Sequence, residues 1–189
     1  IGYQEKQRNR ALSFVEDFGV AVDCGAHVGL WSRDLSKFFE NLYCFEPIKE
    51  FYECLKLNIK SNNTKLFNLG LGEKKIETEA VISKSLGNSG NSRILIDHHQ
   101  IKKEDKIQNI KLIDLDSMHL NKVDFIKIDV EGLGLKVLKG MFKTLTICNP
   151  VVCIELFEEI DKTEQMSFLE GIGYELVDII TKEHVFKKK

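Results

Sequence analysis

The chain carries little net charge. Its 27 Lys and Arg against 29 Asp and Glu leave −2 at neutral pH, which gives no electrostatic reason to expect nucleic acid as a partner. No apolar window is long enough to span a bilayer, and no charged segment followed by an apolar one opens the sequence. It starts at Ile1, which leaves a preceding segment open. The five cysteines (Cys24, Cys44, Cys54, Cys148 and Cys153) are odd in number and form no C-x-x-C. Four sit in or beside apolar runs, where a reduced thiol acts as a small hydrophobe, so inert thiols in a reducing, cytoplasmic compartment are expected. Cys and His are nowhere clustered at ligand spacing, so no metal site is expected. Repeats and low-complexity segments are also missing. What remains is 189 residues, 43% hydrophobic and 30% charged, the make-up of one globular domain with a real core.

The most informative stretch runs from Val20 to Ser32. An apolar run reaches Asp23, passes Gly25 and Gly29, and opens into a pattern with Trp31, Leu35, Phe38 and Phe39 on one helical face. Strand, tight turn and helix start are the parts with which open α/β sheets hold a nucleotide-like ligand. A phosphate cradle works through backbone N–H groups and positive helix ends, and a carboxylate beside it repels pyrophosphate. Asp23 suits instead a ligand with a cationic amine and a sulfonium, such as S-adenosylmethionine. A dinucleotide fingerprint needs glycine at the third position counted from Gly25 itself, and His27 stands there, which demotes NAD. Ala26 and Gly29 still allow close backbone approach.

The rest of the chain reads as strands alternating with helices. Residues 3–18 fit a leading amphipathic helix, followed by strands at about 18–24, 42–46, 64–69, 123–129 and 150–157. Pro47 suits the first position of a helix whose face continues through Ile48, Phe51, Tyr52, Leu55 and Ile59. Period-2 alternation from Ile76 to Ile82, a Ser/Gly/Asn loop and Arg93 to Ile96 predict a β-hairpin where a crossover helix is usual. The loop around Gly87 and Gly90 has the composition of a mobile lid or of an ordinary hairpin tip. His98 to Asn109 reads as a connector, Ile110 to Leu115 as a short strand, and Asp116-Ser117 as a turn. Gly134 to Leu145 reads as one helix, with Leu138, Met141, Phe142 and Leu145 on one face. Asp161 to Glu164 has the form of a capping box. Tyr174 to Ile180 and His184 to Lys188 suit a closing antiparallel hairpin. The whole predicts a single domain over 1–189, with a leading helix at 1–18 and an inserted hairpin and connector at 74–109. Its α/β sheet is mainly parallel and covered on both faces.

Several side chains are candidates for chemistry. Glu46, 17 residues after Gly29, suits the two ribose hydroxyls of a cofactor, or is a surface acid at a strand end. Asn68 and Leu69 suit an adenine edge and face, or Asn68 caps the turn before Gly70. Asp129 and Glu131 lie on one side of the strand mouth if the chain stays extended. Either of them, or His27, is a candidate general base for a hydroxyl acceptor. Alternatively Asp129 orients the methionine part of the cofactor and Glu131 caps the next helix. His98, His99, His119 and His184 are isolated, the usual state of surface histidines.

Four segments together resemble the FkbM-type family of S-adenosylmethionine-dependent methyltransferases. They are Asp23 to Gly29 with Ser32, Phe45-Glu46-Pro47, Asn68 to Gly72, and Val123 to Gly132 followed by Val137 to Gly140 and Pro150 to Glu155. The resemblance covers about residues 18–178. It implies a class I, Rossmann-like sheet of seven strands with the last antiparallel, and O-methylation of a small-molecule, sugar or glycan hydroxyl. Asp23, Gly25, Ala26, His27 and Gly29 would line the methionine end, Glu46 and Pro47 the ribose, Asn68 and Leu69 the adenine, and Asp129 the reacting side. After Gly132 the family commonly has a small residue and then an acid, whereas Leu133 and Gly134 stand here. Two alternatives remain at this stage, a nitrogen methyltransferase and a binding module that keeps the pocket without turnover. No nucleic-acid or membrane partner is expected.

Overall fold

The computed structural model describes residues 3–82, 93–94, 105–156 and 159–189. The chain opens with α1 (Glu5–Leu12), β1 (Val20–Cys24), α2 (Leu30–Leu35), β2 (Asn41–Phe45), α3 (Lys49–Asn58) and β3 (Thr64–Phe67). The three strands are parallel, with Asp23 opposite Cys44 and Cys44 opposite Leu66. The helices are shorter than their sequence pattern. α2 stops at Leu35, so Phe38 stands 49% exposed while Trp31, Leu35 and Phe39 are buried. Pro47 does not start α3: Ile48 is the cap, in extended conformation, because Glu46 accepts its N–H and Asn68 donates to the Pro47 carbonyl.

The insertion is larger than a hairpin. β4 (Gly70–Leu71), β5 (Ile76–Ile82), β6 (Arg93–Ile94) and β7 (Lys106–Ile113) make a second sheet, in the order β4-β7-β5-β6. The expected β5–β6 pairing is present, Ala80 opposite Ile94, but β7 also runs antiparallel along the whole of β5. Lys106 to Asn109, assigned to a connector by sequence, therefore belong to β7. Gly70 opens β4, and a Cβ there would meet Leu112 Cδ2 at 2.5 Å. The Ser83–Ser92 loop with Gly87 and Gly90, and His98 and His99, lie outside the described residues.

A 3-10 turn (Leu115–Met118) leads to β8 (Phe125–Ile128), α4 (Gly134–Lys139), α5 (Phe142–Cys148), β9 (Val151–Glu155), α6 (Glu159–Gly171), β10 (Tyr174–Ile180) and β11 (Glu183–Lys188). The main sheet has the order β10-β11-β9-β8-β1-β2-β3, and β11 is antiparallel to both of its neighbours. One face buries Val22, Ile126, Ile128 and Val152 beneath α4, α6 and the inserted sheet. The other buries Ala21, Phe125, Cys153 and Val185 beneath α1, α2 and α3. α1 is fastened to β10 and the loop after it by Arg10 Nε–Asp178 Oδ2 (2.5 Å) and Gln7 Nε2–Thr181 Oγ1 (3.3 Å).

Two helix readings give way to tertiary contacts. Gly134 to Leu145 is not one helix, since Gly140 ends α4 where the insertion presses on it. A Cβ at Gly140 would lie 1.8 Å from the Gly72 carbonyl oxygen. Phe142 is thereby turned outward, while Met141 and Leu145 stay buried. Asp161 lies inside α6 rather than at its cap.

Gly134, the point of departure from the resembled family, has a packing reason. A Cβ there would lie 2.0 Å from Oε1 of the buried Gln165 on α6. Gly134→Ala gains about 1 kcal/mol of helix propensity and loses about 1–3 kcal/mol to overpacking. Urea denaturation is expected to find it destabilising in the natural background and stabilising beside Gln165→Ala, a reversal that a double-mutant cycle reads directly.

Candidate active site

The site is built where β1, β2, β3, β8 and β9 end. Gly25 and Ala26 both donate their N–H to the Phe45 carbonyl at 3.0 Å, which bends the chain back over β2. The turn has φ +82° at Gly25, +51° at His27 and +87° at Gly29. On its other side it is tucked against β8: Asp129 N–H donates to Cys24 O at 2.9 Å, and a Cβ on Gly25 would lie 2.0 Å from Asp129 O. Only glycine combines that φ with that approach.

Glu46 pins the turn. Its Oε2 accepts the His27 N–H at 2.9 Å and its Oε1 the Ile48 N–H at 2.8 Å, which holds His27 in its left-handed conformation. Burial pushes the Glu46 carboxyl up to about 7, against the pull of those two N–H bonds. Asn68 braces the neighbouring loop, its Nδ2 donating to the carbonyls of Glu46 (2.9 Å) and Pro47 (3.0 Å). Leu69, beside it, is partly buried against the core. The His27 ring packs edge-on against Phe51, with 4.3 Å between centroids. Burial lowers its pKa, partly offset by Asp129, and Nε2 is buried without a hydrogen-bond partner among the described residues.

A row of ionisable groups crosses the sheet on the face beneath α1 and α2. Asp23 pairs with Lys127 across β1 and β8, Lys127 with Cys153 across β8 and β9, and Glu155 with Glu183 across β9 and β11. The period-2 geometry of strands puts the side chains of Asp23, Lys127, Cys153, Glu155 and Glu183 on one face. Asp23, 1% exposed, accepts a 2.5 Å hydrogen bond from Ser32 Oγ. Burial raises its carboxyl to about 6, with Ser32 and Lys127 pulling the other way. Lys127, also 1% exposed, has Nζ 3.2 Å from Asp129 Oδ2 and 5.1 Å from the Trp31 ring centroid. Burial alone would lower its pKa, but Asp129, Cys153, Asp23 and Glu155 raise it overall, so it stays an ammonium. The segment before α1 lies over this row. Gln4 Oε1 accepts from Trp31 Nε1 at 2.5 Å, and the Tyr3 phenol, raised by burial, is near enough to feel Asp129 and Glu155.

The turn residues Asp23, Gly25, Ala26, His27 and Gly29 are thus brought to the end of β2 with Glu46, Pro47 and Asn68, and to the end of β8 with Asp129. Glu131 is placed differently from expectation. β8 ends at Ile128, residues 131–133 form a turn with Gly132 at φ +71°, and the extension that would align Glu131 with Asp129 is not present. His119 is exposed on the connection feeding the start of β8. His184 is buried on β11 opposite Ile154, on the other face from Glu183. Three residues escaped the sequence reading: Lys127, Glu155 and Glu183. The available signal was a lysine in the middle of the buried run Phe125 to Ile128, which can stand there only if carboxylates surround it.

A doubly wound parallel sheet, with one antiparallel strand slotted in before its edge and a glycine turn after its first strand, is the Rossmann-like fold of class I methyltransferases. The chain belongs to the family described as the methyltransferase FkbM domain, which matches residues 23–180. Its fold is similar to that of methyltransferase FkbM from Methylobacillus flagellatus KT, with 18% identity over 89% of this chain and a TM-score of 0.61. It spans only 42% of that protein's length. The precorrin 8w decarboxylase of Methanobacterium thermoautotrophicum is 11% identical over 98% of this chain and 90% of its own, with a TM-score of 0.57. SMU.1697c from Streptococcus mutans, a methyltransferase by description, is 13% identical over 98% of this chain and 97% of its own, with a TM-score of 0.52; its structure is a complex with SAH. No curated protein sequence matches the chain.

Proposed function

We propose that this domain transfers a methyl group from S-adenosylmethionine to a hydroxyl of a small molecule, sugar or glycan, with S-adenosylhomocysteine as the second product. The observation that carries the reading is the charge balance at the strand ends. Asp23, Asp129 and Glu155 surround the buried ammonium of Lys127, and Glu46 stands beyond Asp23 and Asp129. Three carboxyls to one ammonium leave the site short of positive charge, and burial pushes Asp23 up to about 6 and Glu46 up to about 7. A ligand with an ammonium and a sulfonium relieves that shortage, whereas pyrophosphate deepens it. Membership of the FkbM domain family supports the same reading, and so does the fold shared with a protein that holds SAH.

The residues fit such a ligand. Each Glu46 oxygen has accepted one N–H and keeps a lone pair for a ribose hydroxyl. The Nδ2 of Asn68 is the donor in both of its bonds, so an adenine amine falls to Oδ1, with Leu69 for the ring face. Asp23 is turned to Ser32 and acts one step back, fixing the start of α2. Asp129, whose side chain is 38% exposed, is left for the reacting side. Ala26 and Pro47 complete the wall of the turn.

The bound cofactor supplies an electrophilic methyl on sulfur. The chain's own part is to hold the acceptor oxygen in line, keep water away and take up its proton. Among the three candidate bases, His27 is a neutral imidazole at neutral pH with Nε2 in the interior, and Glu131 sits on a turn past the strand end. Asp129 extends from the mouth of β8 with one side open, and we assign the proton to it. Calorimetric titration tests the reading. S-adenosylhomocysteine is expected to bind in the micromolar range and NAD to give no heat at millimolar concentration; the reverse refutes it. A panel of hydroxyl and amine acceptors then separates the chemistries. Methylated nitrogen redirects the reading to an amine substrate, and tight binding with no turnover on any acceptor leaves a binding module.

A further inference from the structure

Resting on that methyl-transfer reading, we propose that Asp129 and Glu155 act as one proton-sharing carboxyl pair and that the proton of the acceptor hydroxyl ends on it, which makes Glu155 the second half of the base. β8 and β9 are parallel neighbours in register, Ile128 beside Ile154, so the residues that follow, Asp129 and Glu155, come together at the strand ends. Asp129 is close enough to Glu155 to raise its carboxyl. The groups facing Glu155 come from three directions: Lys127 and Asp129 from β8, Glu183 from β11, and Tyr3 from the segment before α1. Two of these are buried and incompletely partnered. Lys127 Nζ lies 3.2 Å from Asp129 Oδ2 but makes no directed hydrogen bond among the described residues, and neither does Glu183 Oε1.

The physics of the pair follows from its surroundings. One ammonium balances one negative charge, and a second ionised carboxyl beside the first adds like-charge repulsion. The stable form is therefore a pair that holds one proton between two oxygens. Burial first, and Asp129 second, push the Glu155 carboxyl up to about 7. At and above neutrality the pair gives up that proton and can take another from a hydroxyl. A lone exposed carboxylate, titrating at about 4, is a much weaker base.

The step balances without any further reactant. The acceptor O–H bond breaks and its proton joins the pair, the O–CH3 bond forms, and the electrons of the broken S–C bond stay on sulfur as a neutral thioether. Asp129, the half-open member, then returns the proton to solvent. Glu131 and His27 have no part in this path.

Carboxyl carbon NMR of the whole domain measures the pair without any turnover. Glu155 is expected to titrate near the value its setting gives, about 7, and in Asp129→Asn to move down by about one pH unit or more. A Glu155 midpoint at the ordinary value of about 4.3 overturns the proposal. Glu155→Gln keeps the side-chain shape. Its acidic limb in kcat against pH is expected to shift at least about one unit lower, with the plateau reduced on the order of 10–100-fold. A loss uniform over pH, with the limb unmoved, is what a structural role produces and also overturns it. S-adenosylhomocysteine affinity is expected to stay within about threefold in Glu155→Gln. If the natural protein fails to bind S-adenosylhomocysteine, the methyl-transfer reading falls and the pair's role with it. If it binds but Glu155 titrates normally, only the pair falls.

Discussion

Gly25→Ala is expected to abolish S-adenosylhomocysteine binding in the calorimeter and to cost the fold about 3 kcal/mol. A non-glycine residue at φ +82° costs about 1–2 kcal/mol in backbone energy alone. The added Cβ would also lie 2.0 Å from a main-chain oxygen, that of Asp129, and neither partner can rotate out of the way. Overpacking of this kind costs about 1–3 kcal/mol more. Relief requires the turn to lift from β8, which breaks the Asp129–Cys24 hydrogen bond or pulls Gly25 and Ala26 off the Phe45 carbonyl. Gly29→Ala is the comparison. It has the same sign of φ, but its Cβ meets the Leu55 Cδ1 methyl at 2.6 Å, a side-chain atom that can yield. Urea denaturation should rank Gly25→Ala well below Gly29→Ala. A Gly25→Ala protein that binds S-adenosylhomocysteine like its parent would show that the ligand does not use this turn.

Lys127→Met is expected to cost about 3–5 kcal/mol at pH 8, the penalty for leaving buried charge without its partner, and much less at pH 5. The direction follows from the carboxyls around it. Asp23 at about 6 and Glu155 at about 7 hold protons in the folded chain that the unfolded chain releases near pH 4. Each therefore lowers stability as pH climbs from its unfolded value through its folded one. Removing the ammonium raises both carboxyls further and steepens that decline. The raised pKa of Lys127 itself lies too high to add any slope between pH 5 and pH 8. For a chain of this size 1 kcal/mol moves Tm by about 2–4 °C. The melting temperature of the variant should therefore fall toward alkaline pH by roughly 10 °C more than the parent's. Equal slopes would mean that Lys127 is not the counter-charge of this row.

The sequence was most informative where local chemistry decides structure. Strands buried on both faces are nearly continuous apolar runs, so β1, β2, β8 and β9 could be read directly, and each of Asp23, Glu46, Asn68 and Asp129 was found by standing at or just past a strand end. The parallel sheet then gathers them by topology. Reading failed where a distant segment decides. Gly140 breaks a regular helical pattern because the Gly72 carbonyl occupies the space its Cβ would need. β7 looked like half connector because Lys106 to Asn109 acquire a strand's pattern only when paired with Glu79 to Ile82. Glu155 was visible as the tail of an apolar run, but its meaning depends on the register that puts it beside Asp129. A single strand carries no such information. Glu131 shows the converse: its alignment with Asp129 was conditional on the chain staying extended, and β8 ends at Ile128.

The mooring of α1 has a consequence for biosynthesis. Arg10 and Gln7 reach partners 168 and 174 residues further along the chain, and Glu16 is likewise tied to Lys187. Tyr3 and Gln4, which lie over Lys127 and Trp31, can settle there only after β10 and the loop behind it have left the ribosome. A nascent chain thus leaves its charged row uncovered by Tyr3 and Gln4 until synthesis has passed those elements.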